Sequence, residues 1–188
     1  MVYASLDLRC HAQRRFEMEN MMNKVVKFGG SSLASAEQFK KVEMIIRADK
    51  ERRFVVPSAP GKRSSDDTKV TDMLYACYEL AKNDQDFSEQ LQAIKNRYLE
   101  IIAGLCLDLS LEEEFQLIEE NFKKKAGADY AASRGEYLNG IIMAQYLGFA
   151  FVDAAEVIRF KEDGEYDPEL TNQLMRERLS AVESAVVR

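Results

Sequence analysis

Lys27, Gly29, Gly30, Ser31 and Ser32 fall together in the string VVKFGGSSLASAEQF, residues 25–39. A short apolar run carrying a lysine, then two glycines, two serines and a helical pattern, sets unpaired backbone N–H groups at a turn where they can cradle an anion. Gly29 and Gly30 let phosphate oxygens come close to the backbone and permit φ angles closed to other residues. Lys27 adds a full positive charge. The chemistry this points to is phosphate binding, although strand-Gly-Gly turns are common, a lysine near a strand end is ordinarily only solvated, and the hydroxyls of Ser31 and Ser32 can be spent on local capping. The spacing fits neither G-x-x-x-x-G-K-[ST] nor G-x-G-x-x-G, which disfavours both familiar nucleotide-binding loops.

Other candidate side chains have equally plain alternatives. Ser58, in VVPSAPGKR, is a polar group for a ligand or an ordinary turn hydroxyl between prolines. Thr71, in TKVTDMLY, stands where a helix opens and reads equally as its N-cap. Ser133 and Glu136, in SRGEYLNG, form an S-x-x-E capping box, which would tie Glu136 to its own helix start. Arg134 reads as a surface charge and Asp153 as a strand-end polar group. Asp66 and Asp67 are adjacent acids in a polar loop, the usual mark of solvation, and no metal ligands are assigned.

Composition narrows the classes. With 188 residues, 46% of them hydrophobic, the chain can bury one sizeable core. A net charge of -6 offers no basic face for a nucleic-acid backbone. Cys10, Cys77 and Cys106 are odd in number and scattered, so neither a disulfide framework nor a zinc site is indicated and a reducing cytoplasm fits. No run of eighteen or so apolar residues argues for a membrane span. Residues 1–22 show no clean periodicity and are read as an N-terminal extension, disordered or preceding a natural start near Met18, Met21 or Met22. That stretch holds His11, the only histidine, which leaves no histidine base for a core site.

From Lys24 onward short apolar runs alternate with longer amphipathic ones, the pattern of a mostly parallel sheet covered by helices. KVVKF is the first strand. Ser35 caps the next helix with Gln38 reciprocating, and Phe39, Val42, Ile45 and Ile46 share its inner face. RRFVVP is a second strand running into a loop. Helices follow from about Thr71, over 87–104, 111–125 and 133–147, with Gly148 as the stop. FAFVDAAEVI supplies a third strand, and Pro168 opens a final helix that runs into SAVESAVVR.

KFGGSSLAS, VVPSAPGKR, TKVTDMLY, SRGEYLNG and FVDAAEVI, in that order, closely resemble the first part of aspartokinases, within the amino-acid kinase family. The resemblance spans about residues 24–185; the double serine and SRGE favour aspartokinase over relatives acting on other acceptors. It implies an incomplete three-layer α/β/α sandwich of the amino-acid kinase type, with residues 23–188 as the N-terminal lobe of a kinase domain. It also implies phosphoryl transfer from MgATP to the side-chain carboxylate of L-aspartate, the first step towards lysine, threonine and methionine. By this resemblance Lys27 contacts the transferred phosphoryl group, and Gly29, Gly30, Ser31 and Ser32 line the phosphate site. Ser58 and Thr71 hold aspartate, and Glu136 receives its ammonium group. Phosphoryl transfer asks mainly for positioning and charge stabilisation, which is compatible with a site that has no histidine. The resemblance implies a homo-oligomeric full-length enzyme; the family's later GRGGSD-like string, adenine region and ACT domains are not in this sequence, so the expectation is a chain inactive by itself. The alternatives are a non-catalytic binding module and an amino-acid kinase with another acceptor, such as glutamate.

Overall fold

The computed structural model describes residues 22–188. The extension expected over 1–22, with Cys10 and His11, lies outside the described residues apart from Met22. Strand β1 (Lys24–Phe28) leads through a 3₁₀ turn (Gly30–Leu33) to helix α1 (Ala36–Arg47) and strand β2 (Arg52–Pro57). Helices α2 (Val70–Lys82), α3 (Ser88–Gly104), α4 (Glu112–Lys123) and α5 (Ala128–Leu147) follow without an intervening strand. Then come β3 (Ala150–Val152), the short α6 (Ala154–Val157), α7 (Pro168–Ser180) and β4 (Ala185–Val187).

The four strands make one parallel sheet in the order β1-β2-β4-β3. Because side chains alternate across a strand, β2, β3 and β4 each serve two cores, whereas β1 gives Val26 and Phe28 to one core and leaves Val25 and Lys27 exposed on its other face. Val26, Phe28, Val55, Phe151 and Val186 point into the large core built by α1 to α5, where Phe39, Leu74, Tyr98, Phe122 and Ile142 are buried. On the other face Phe54, Val152, Ala185 and Val187 meet Val157 of α6 and Leu174, Met175 and Leu179 of α7. The architecture is the expected α/β/α sandwich with a parallel sheet. Among the described residues no helix is long and apolar enough to cross a membrane.

Several local expectations are corrected. Ser35 holds the N-cap position of α1, but its hydroxyl makes no capping bond, so the Ser35–Gln38 box does not form. Phe39, Val42 and Ile46 are buried as expected, whereas Ile45 is 48% exposed, one step round the helix from the buried stripe. Helix α5 begins at Ala128, just after Gly127 at φ 110°, five residues before the Ser133 start expected from the capping box. Ser133 Oγ donates instead to the Tyr130 carbonyl at 2.8 Å, a bond back into its own helix. The third strand is only three residues long, because Asp153 turns the chain by accepting the Ala155 N–H at 3.0 Å. The last helix ends at Ser180, and AVV, read as part of that helix, is the central strand β4.

Candidate functional site

The carboxyl ends of β1 and β2 open into a cleft of about 550 Å³. Its walls are the 3₁₀ turn (Gly30, Ser31), the loop after β2 (Ser58 to Lys62), the start of α2 (Lys69, Thr71) and Glu136 of α5. Ligands of open parallel sheets bind in this kind of place, beyond the carboxyl ends of the strands.

The two loops touch backbone to backbone. The Gly61 amide donates to the Gly30 carbonyl at 2.8 Å, and the Ser58 amide donates to the Phe28 carbonyl at 2.9 Å. A Cβ on Gly30 would lie 2.7 Å from the Ala59 carbonyl oxygen, and one on Gly61 would lie 2.6 Å from the Gly30 carbonyl carbon. These glycines are therefore required by the close approach. Gly29 differs from the sequence expectation, since its φ of -75° suits any residue and a Cβ there would meet nothing within 4 Å. What Gly29 leaves is open space beside the turn.

Beyond the glycines, the cleft is bordered by hydroxyls and charges. The Ser32 amide bonds to the Gly29 carbonyl at 3.0 Å, closing the turn. No side-chain bond caps it. Local capping therefore does not account for Ser31 and Ser32. Thr71 is the second residue of α2; Lys69 holds the N-cap position, so the N-cap reading of Thr71 is overturned. The start of a thirteen-residue helix consequently faces the cleft, its positive dipole end towards any anion held there. Lys62 and Lys69 add two cations that sequence reasoning did not single out.

Glu136 reaches the cleft because α5 packs tightly beneath it. A Cβ on the preceding Gly135 would lie 2.9 Å from Ala59 Cβ and 3.1 Å from Leu74 Cδ1. The fully buried Tyr98 hydroxyl donates to the Gly135 carbonyl at 2.6 Å. Burial drives the Tyr98 phenol well above its usual range, which keeps it a neutral donor. Asn139, one turn further and fully buried, donates to the Ser58 carbonyl at 2.7 Å, linking α5 to the loop after β2. Glu136 itself pairs with Arg188 at 2.9 Å, and Arg188 also donates to the Ser133 carbonyl at 3.0 Å. The helix-start reading of Glu136 therefore falls, since Ser133 and Glu136 both lie well inside α5.

The structure thus brings Gly30, Ser31, Ser58, Thr71 and Glu136 to one cleft and leaves Lys27, Gly29 and Ser32 outside its lining. Lys27 is exposed on β1, on the opposite strand face from Val26 and Phe28, which enter the large core. Arg134 is more than a surface charge, since its guanidinium lies 4.7 Å and 4.6 Å from the ring centres of Tyr130 and Tyr137. A second cleft, of about 380 Å³, opens at the other end of the sheet beside Arg47, Arg52, Arg53 and Phe149. Its guanidinium groups donate to the carbonyls of Leu147, Ile45 and Glu183, so its cations are engaged in holding the chain together.

Residues 22–185 match the amino acid kinase family. The chain is 40% identical over 147 residues to aspartokinase 3 of Bacillus subtilis (strain 168), a match covering 75% of this chain and 32% of that protein. The crystal structure of Clostridium acetobutylicum aspartate kinase superposes with a TM-score of 0.83 at 45% identity, over 87% of this chain and 38% of that one. Escherichia coli aspartokinase III, solved in complex with aspartate and ADP, shares the fold with a TM-score of 0.66 at 23% identity, over 87% of this chain and 39% of that one. The chain therefore spans about a third of the length of the relatives it matches. With the family match, the parallel α/β/α sandwich and the identity to these enzymes in agreement, the chain belongs to the amino acid kinase family and is a homologue of aspartokinase.

Proposed function

We propose that this chain carries the acceptor and phosphate side of an aspartate kinase, which transfers a phosphoryl group from MgATP to the side-chain carboxylate of L-aspartate, giving 4-phospho-L-aspartate. The observation that carries the reading is the convergence of Gly30, Ser31, Ser58, Thr71 and Glu136, drawn from four separate segments, on one cleft. A homologue of the same fold was solved with aspartate and ADP. Residues 23–188 act in this reading as the N-terminal lobe of the kinase domain.

The roles in this reading are those that the aspartokinase resemblance implies, and the charges of the groups are compatible with them. The backbone of the 3₁₀ turn, the hydroxyls of Ser31 and Ser32 and the space beside Gly29 receive the phosphates. Lys27, exposed one residue before the end of β1, neutralises the group being transferred. Ser58 and Thr71 hydrogen-bond the amino acid, and Glu136 accepts its ammonium group in a charge-assisted bond. A carboxylate is already ionised at neutral pH, so the acceptor needs no general base. Magnesium is placed on the nucleotide phosphates. Cys77 and Cys106 are free thiols, in keeping with a cytoplasmic home, and the longer enzyme is expected to be a homo-oligomer.

Isothermal titration of the 188-residue chain with L-aspartate and, separately, with a non-hydrolysable ATP analogue and magnesium tests the reading, using Lys27→Ala and Glu136→Gln as variants. The expected result is aspartate binding weakened about tenfold or more by Glu136→Gln and binding of the triphosphate analogue weakened by Lys27→Ala. Binding of neither ligand, or binding indifferent to both substitutions, would overturn it.

A further inference from the structure

Arg97 stands in α3, outside the cleft lining, and is 4% exposed. An arginine buried to that degree is costly unless its donors are satisfied. It donates to the Gly61 carbonyl at 2.9 Å, to Asp67 Oδ2 at 2.7 Å and to the Thr68 carbonyl at 3.4 Å. All three acceptors belong to residues 61–68, the charged loop between the end of the cleft's β2 wall and the start of α2. Asp67 also accepts from Arg63, from its side chain and its backbone amide, each at 2.9 Å.

The peptide of Gly61 links this cluster to the phosphate turn. Its carbonyl is held by Arg97, and its amide is held by the Gly30 carbonyl at 2.8 Å. At the far end of the loop, the Val70 amide donates to the Pro60 carbonyl at 3.1 Å, which fixes where α2 begins. Lys62 and Lys69, the two cations of this wall, are carried between those anchors. A loop as polar as KRSSDDTK has no apolar side chain with which to hold itself against the core, so its shape depends on these bonds.

We propose that Arg97 is a positioning residue: through the Gly61 peptide and Asp67 it locks the loop of residues 61–69, with Lys62 and Lys69, against the Gly30–Leu33 turn, and so presets the cleft for a phosphorylated ligand. The ligand class rests on the function proposed above, whereas the holding of the loop does not. A fixed wall binds an anion without the ordering cost that a mobile one would incur.

The test compares the wild-type chain with Arg97→Lys, Arg97→Met and the double variant Arg97→Met with Asp67→Leu. Three quantities are read: melting temperature, amide exchange of residues 61–70, and affinity for inorganic pyrophosphate. Arg97→Met alone leaves the largely buried Asp67 with Arg63 as its remaining cation and costs stability, whereas the double variant replaces the Arg97–Asp67 pair with apolar groups, an exchange that often preserves stability. The expected result is a double variant that melts like wild type, exchanges the Gly61 amide rapidly and binds pyrophosphate about tenfold more weakly, with Arg97→Lys intermediate. A double variant with wild-type melting, protected Gly61 and wild-type affinity would overturn the proposal, as would fast exchange with unchanged affinity. If the wild-type chain binds no pyrophosphate, the phosphate reading of the cleft falls, and the Gly61 exchange in the double variant then decides alone whether Arg97 holds the loop.

Discussion

The Gly61 amide and the Gly30 carbonyl are joined by a hydrogen bond of 2.8 Å, a backbone contact between loops thirty-one residues apart that leaves no room for a Cβ on either glycine. Gly30→Ala and Gly61→Ala should each push the loops apart, because the obstructing atoms are backbone and cannot rotate away. The expected cost is about 1–3 kcal/mol in each case, read by urea denaturation. Gly29→Ala, with open space and an extended backbone, should stay within about 0.5 kcal/mol of wild type. Equal losses at Gly29 and Gly30 would show that steric closeness is not what these positions share.

Glu136 meets Arg188 at 2.9 Å, so an incoming ammonium group has a competitor. With the Glu136 side chain 40% exposed, the pair is of the weak, solvated kind. Arg188→Gln should therefore tighten L-aspartate binding modestly, by about threefold. Glu136→Gln should weaken it by about tenfold or more, the scale of one hydrogen bond to a charged group. Calorimetry on the two variants checks both signs; tightening by Glu136→Gln would place the ammonium elsewhere.

Asp67 gives the fold a dependence on acid. Hydrogen bonds from Arg63 and the charge of Arg97 hold its carboxyl well below the usual carboxylate range. A depressed folded-state value means that the unfolded chain takes up the proton first as pH falls. The contribution is complete above the unfolded value near 3.9 and is lost progressively below it. Urea midpoints measured from pH 7 down to pH 2 should fall in that acid window, and Asp67→Asn should start lower and show a shallower fall. Parallel curves for the two proteins would refute the assignment.

The two described cysteines should differ sharply in reactivity. Burial pushes the Cys77 thiol up to about 12, while Cys106 is exposed at the end of α3. Since the thiolate is the reactive form, iodoacetamide at pH 8 should label Cys106 within minutes and leave Cys77 untouched until the chain unfolds. Peptide mapping by mass spectrometry distinguishes them. The raised Cys77 value also implies that stability declines from about pH 8.5 upwards, because only the unfolded thiol ionises there.

Much of the fold is legible along the chain because its signals are local. The strand-turn-helix of residues 24–47, the long helices and the Gly148 stop follow from apolar spacing and single backbone conformations. The capping box at Ser133 misled because an S-x-x-E string inside a helix looks the same as one at its start, and the break at Gly127 sits farther upstream. Strand β4 was hidden for a different reason. Its three residues carry no periodicity of their own, and only pairing with β2 on one side and β3 on the other makes AVV a strand.

The same division runs through the site. Residue order along the chain settles which groups are available: the lysine and double glycine, the serines, Thr71 and Glu136, with no histidine in residues 22–188. Motif chemistry depends on residue type and near-neighbour order, and both are written in the chain. Tertiary structure decided which of those groups meet. It put five of them in one cleft and Lys27 outside its lining, and it assigned Glu136 to the cleft instead of a helix cap. It also recruited Arg97, Tyr98 and Asn139 as supports through bonds to carbonyls of distant residues. Such bonds leave no trace in the sequence, because any residue supplies a carbonyl and only the folded path of the backbone says where it will be.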